Sequence, residues 1–123
     1  MILYFASDLV WATRIKATAE DLGIPCRPVR NLDMLSQRLA DSEPDALILD
    51  LETEQAGLDL LRGLRADEKG KGVRVVAFGP HVKKDLMQAA RDAGADEVLT
   101  RGVFDHGLVD LLVRLEAGGN RNG

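Results

Sequence analysis

The chain has 123 residues, 46% of them hydrophobic and 29% charged, with a net charge of −4. That length suits one domain with a single core, and the composition excludes both a disordered chain and a membrane span, since no apolar run approaches the ~20 residues a bilayer requires. The sixteen basic residues are spread along the chain, so no concentrated patch for a phosphate backbone forms and nucleic-acid binding is not expected.

In chain order, short apolar runs alternate with longer amphipathic ones. The opening stretch to Asp8 carries no basic leader, which makes the cytoplasm the expected location. Ile2–Phe5 is the first strand. Asp8 suits a helix N-cap, and the helix over Leu9–Leu22 carries a stripe of Ala12, Ile15, Ala19 and Leu22, closed by Gly23 as a left-handed cap. A second strand follows at Pro25–Val29; its Cys26, the only cysteine, cannot form an internal disulfide and is expected as a small buried hydrophobe. The second helix covers Leu32–Asp41, and Pro44 precedes the third strand, Ala46–Leu49.

A third helix is expected over Leu58–Asp67, then a strand at Val73–Phe78 and a helix over Val82–Ala93 that Gly94 ends. The last strand is Glu97–Thr100. The last helix is Phe104–Glu116, with Asp105 as its N-cap and Leu108, Leu111, Leu112 and Leu115 as its buried stripe. The third and fourth strands are apolar on consecutive residues, the pattern of strands covered on both faces. Five strand-helix units therefore predict an α/β fold around a parallel sheet. The domain spans 1–117, and the polar, glycine-rich 118–123 is expected to be a flexible tail.

The most informative stretch is Ala46-Leu47-Ile48-Leu49-Asp50, an apolar strand ending in a lone carboxylate. Asp21-Leu22-Gly23 follows the first helix, and Ala89-Ala90-Arg91-Asp92-Ala93-Gly94-Ala95-Asp96 precedes the fifth strand. Together with the order of elements, these stretches resemble the receiver domain of two-component response regulators over residues 1–116. The resemblance implies a flavodoxin-like, doubly wound (βα)5 sandwich with a five-stranded parallel sheet in the order 2-1-3-4-5. It also implies a bacterial signalling role in which a histidine kinase passes a phosphoryl group to an aspartate with Mg²⁺.

Position by position, the resemblance places the phosphate acceptor at Asp50. The acidic metal pair falls on Ala6 and Ser7, with Asp8 at the helix start where many receivers carry a third acid. The phosphoryl-contacting hydroxyl falls on Gly79, followed by Pro80. The conserved-type lysine falls on Arg101, its proline on Gly102, and the aromatic switch position on Val98. An acceptor without its metal acids is a poor phosphorylation site, so no metal, no cofactor and no enzymatic activity are expected.

The expected role is that of a degenerate, or pseudo-, receiver: a phosphorylation-independent module that recognises signalling proteins through a fixed surface. Two alternatives stay open. One is a phospho-switch on Asp50 whose unusual Mg²⁺ shell uses Asp50, Asp8 or Glu52; the other is an enzyme or small-molecule sensor that uses the crevice at the carboxyl ends of the strands. A bidentate Asp50–Arg101 pair is expected to hold one conformation without phosphate. Candidate contact residues are Trp11 near the crevice mouth, and Val98, Val103 and Lys84 on the face through which receivers dimerise or meet partners. A homodimer through the last two helices is one such arrangement. His81 and His106 have no second ligand nearby. No zinc spacing and no Gly-rich phosphate loop after the first strand occur.

Overall fold

The structure, a computed structural model, describes residues 1–118. Its strands are β1 (Ile2–Phe5), β2 (Cys26–Pro28), β3 (Ala46–Asp50), β4 (Arg74–Gly79) and β5 (Glu97–Thr100). All pair in parallel in the order β2-β1-β3-β4-β5, the order that the receiver resemblance implies. The helices are α1 (Leu9–Asp21), α2 (Leu32–Asp41), α3 (Glu54–Ala66), α4 (Lys84–Asp92), α5 (Arg101–His106) and α6 (Leu108–Gly118).

Side-chain alternation divides the core between the two faces of the sheet. Leu3, Phe5, Leu47, Leu49, Val75 and Ala77 point to one side, where they meet apolar residues of α2, α3 and α4. Ile2, Tyr4, Ile48, Val76 and Phe78 point to the other, against Ile15 and Ala19 of α1 and Leu108, Leu111, Leu112 and Leu115 of α6. Both sides are dry, which is why these strands are apolar on consecutive residues.

Caps and turns account for most boundaries. Asp8 Oδ1 accepts from the Val10 N–H at 2.8 Å and opens α1. Gly23 and Gly94 carry φ of +70° and +110°, conformations that an L side chain rarely adopts. From the last turn of α3, Arg65 donates to the carbonyls of Gly94, Gly70 and Val73 and to Asp96 Oδ2, so one guanidinium joins the loops at the amino ends of β4 and β5.

Several expectations need correction. Asp105 is not an N-cap: Thr100 caps α5, its Oγ1 accepting from Val103 N–H at 3.3 Å, while Asp105 lies within that helix and pairs with Arg14. The single last helix is two, because the chain breaks at Gly107. α3 begins at Glu54 rather than Leu58, since its first turn is polar and shows no apolar period. Leu22 is exposed rather than part of the α1 stripe, and Cys26 is half-buried, its thiol pushed up to about 12 by burial. Gly118 ends α6; the rest of the expected tail lies outside the described residues.

Candidate functional site

The carboxyl ends of β1, β3, β4 and β5 form one rim. Register aligns them: Phe5 lies opposite Leu49, Asp50 opposite Phe78, and Gly79 opposite Thr100. The residues that leave these ends are Ala6-Ser7-Asp8, Leu51-Glu52, Pro80 and Arg101, so parallel pairing brings together groups far apart in sequence.

Asp50 is fully buried. Its Oδ1 accepts from the Glu52 N–H at 2.9 Å, while Oδ2 has no hydrogen-bond partner. Burial pushes its pKa up from 3.8 to about 6; the Arg101 guanidinium opposes that rise, the Asp8 charge adds to it, and the nearby Asp8 backbone amide lowers it.

Around it, each position is occupied in a specific way. Ala6 offers no donor atom. Ser7 Oγ accepts from Thr53 Oγ1 at 2.7 Å, which ties the loop after β1 to the loop after β3. Asp8 is committed to the head of α1. A Cβ at Gly79 would stand 3.3 Å from Leu51 Cβ and 3.4 Å from Met87 Sδ, so the place for a hydroxyl side chain is crowded by two apolar neighbours. Arg101 forms an ion pair with Glu52, and its buried Nε has no partner. The bidentate Asp50–Arg101 pair expected from the sequence is therefore not formed; the guanidinium has gone to the exposed carboxylate two residues on, which costs less desolvation than joining a buried one.

Mg²⁺ asks for near-octahedral oxygen ligands, several of them anionic. Among the described residues, no group of three His, Cys, Asp or Glu stands together to hold a metal ion. Of the acids near the rim, Asp8 caps α1, Glu52 holds Arg101, and Asp50 has one oxygen in a turn. The residues present do not fit the ion.

Beside the rim, three rings close the sheet's end. Phe78 and Phe104 stack with centroids 3.9 Å apart, and Trp11 packs on them at 5.1 and 5.7 Å. Trp11 is thus half-buried, and what the head of α1 exposes is Leu9 (78%) and Val10 (72%). Of the other candidate contacts, Val103 and Lys84 are exposed and Val98 is half-buried against the core. His81 and His106 are exposed.

Sequence reading passed over Leu51, Met87, Phe104 and Thr53. The first two were indistinguishable from ordinary core residues. The ring stack had a faint signal: few aromatics occur in the chain, and two of them bracket the loops that converge here.

No protein-family model and no curated relative matches the chain. Solved structures do. The signal receiver domain of a signal transduction histidine kinase from Syntrophus aciditrophicus superposes with a TM-score of 0.80 at 25% identity, over 99% of this chain and 93% of that one. The receiver domain of a sensor histidine kinase from Pseudomonas aeruginosa PAO1, described with a magnesium ion coordinated in its active-site cleft, gives 0.77 at 22%, over 94% and 96%. The receiver domain of NtrX from Brucella abortus gives 0.76 at 17%, over the whole of both chains. The structural neighbours are thus response-regulator receiver domains, and the chain has their flavodoxin-like fold. Among the described residues, no helix is long and apolar enough to cross a membrane.

Proposed function

We propose that this chain is a degenerate receiver domain of two-component signalling that recognises a protein partner without being phosphorylated. The observation that carries this reading is the state of Asp50: buried, one oxygen held by the Glu52 backbone, with Ala6 and Ser7 where the acidic pair would stand. Phosphoryl transfer concentrates negative charge on oxygens that already face a carboxylate, and catalysis there depends on positioned cations. Here the Arg101 guanidinium at the rim is engaged by Glu52, and the hydroxyl position is Gly79 backed by Leu51 and Met87.

Recognition then falls to surfaces outside the crevice: the head of α1 with Leu9 and Val10, and Val103 on α5. The alternative switch with an Asp50, Asp8 and Glu52 metal shell requires Asp8 to leave its cap and Glu52 to leave Arg101. Amide NMR of the labelled protein tests the reading, titrated with Mg²⁺ and then beryllofluoride, which imitates an aspartyl phosphate. The expected spectrum is unchanged; saturable shifts spreading from Asp50 to Gly79 and Arg101 would replace this account with an active switch.

A further inference from the structure

Two buried polar atoms beside the crevice lack a hydrogen-bond partner, and they are complementary: Asp50 Oδ2 is an acceptor and Arg101 Nε carries a donor hydrogen. Unmet buried groups of this kind call for an explanation, because folded proteins rarely leave them so. Arg101 has committed its Nη2 to Glu52 instead, in an ion pair whose side chains are 35% and 49% exposed. Exposed pairs are weak and screened by salt.

The two competing carboxylates share one turn, since the Glu52 N–H is itself the donor to Asp50 Oδ1. Arg101 follows Thr100, which lies opposite Gly79 of β4, and Asp50 lies opposite the neighbouring Phe78, so the two groups flank the same end of β4. Arg101 already acts on the Asp50 carboxylate from its present place, so the two groups are neighbours at the crevice.

We propose that Arg101 is a two-position latch: its guanidinium holds Glu52 in this structure and turns inward onto Asp50 in a second state, and the exchange regulates the surface that α5 and the head of α1 offer a partner. This rests on the partner-recognition reading above. Transmission follows the rings, because Arg101 opens α5 and Phe104, three residues on, stacks on Phe78 while Trp11 packs edge-on against both, beside the exposed Leu9 and Val10. A partner that brings a Lys or Arg side chain to Glu52 releases Arg101 inward. That makes a basic residue flanked by apolar ones the chemistry that trips the latch.

The test uses the whole ¹⁵N-labelled chain at pH 8, with the Arg101 Nε–H signal assigned by its loss in Arg101→Lys and the Trp11 indole as a second probe. In Glu52→Gln, Arg101 is expected to turn inward: its Nε–H moves downfield and exchanges with water at least about tenfold more slowly, and the Trp11 indole shifts. In Asp50→Asn, the amide NH₂ replaces the free acceptor, so both signals keep their wild-type positions. A Glu52→Gln protein whose Arg101 Nε–H exchanges faster than in the wild type, or does not move, overturns the latch. Beryllofluoride binding would overturn the phosphorylation-independent reading while leaving the Glu52→Gln result to decide the latch, so the two failures are told apart.

Discussion

Arg65 and Arg101 stand at opposite ends of the same sheet and are used in opposite ways. Arg65 spends both faces of its guanidinium on fixed acceptors: Nε and Nη2 reach the Gly94 carbonyl at 3.0 and 2.8 Å, Nη1 reaches the carbonyls of Gly70 and Val73 at 3.0 and 2.7 Å, and Nη2 meets Asp96 Oδ2 at 3.1 Å. Those carbonyls belong to backbone that has nowhere else to go, so the fork holds one geometry. Arg101 pairs with the exposed Glu52 and leaves its buried Nε idle. A saturated arginine fixes a fold; one with an idle donor beside an unmatched carboxylate oxygen leaves room for a choice. The amino-terminal end of the sheet is the clasp, and the crevice end is where Asp50 Oδ2 and Arg101 Nε stay unmatched.

Breaking the clasp has the largest expected effect. Arg65→Ala removes the donor shared by the carbonyls of Gly70, Lys71, Val73 and Gly94 and by Asp96 Oδ2, which keeps only the Val75 N–H, and should lower stability by about 3 kcal/mol in a denaturant titration. Arg65→Lys should recover less than half of that, since a lone ammonium cannot serve acceptors on both sides. Full recovery by lysine would mean that charge, not the fork, matters there.

At the other end the sign reverses. Asp50 ionises less readily in the folded chain, with its pKa raised from 3.8 to about 6, so between those values the folded state binds more protons than the unfolded one and stability falls as pH rises. Asp50→Asn removes that loss and should stabilise the protein by about 2–3 kcal/mol at pH 8, with the two proteins converging near pH 4. Equal stabilities at pH 8 would show that the carboxylate is solvated or paired there.

The smallest effect is expected at Arg101 itself. Arg101→Gln should cost about 1 kcal/mol or less at pH 8, because its ion pair is exposed, and should move the Asp50 titration upward from about 6 as the opposing charge is lost. Carboxyl ¹³C NMR reads that shift directly; a downward movement would contradict the placement of Arg101 beside Asp50.

The strand order was legible through the receiver resemblance, and both faces of the core because consecutive apolar residues at Ala46–Leu49 and Val75–Phe78 admit little besides buried parallel strands. Asp8, Gly23 and Gly94 marked real boundaries because each acts locally, through a cap or a left-handed turn. Asp105 misled for a matching reason: its capping chemistry is genuine, but Arg14 from another helix claims its carboxylate. The start of α3 was missed because Glu54, Gln55 and Ala56 form helix without an apolar period to announce it.

At the site, sequence alone determined which groups are present: a carboxylate at the end of β3, no acid at Ala6 or Ser7, no hydroxyl at Gly79, and a guanidinium at Arg101. Residue identity decides that much because a missing ligand cannot be supplied by folding. Only the tertiary structure decided that Arg101 meets Glu52 rather than Asp50, that Leu51 and Met87 crowd Gly79, and that Trp11 packs on Phe78 and Phe104. Those outcomes depend on competition between distant partners for the same space and on the desolvation each would cost, and neither is written in the local order of residues.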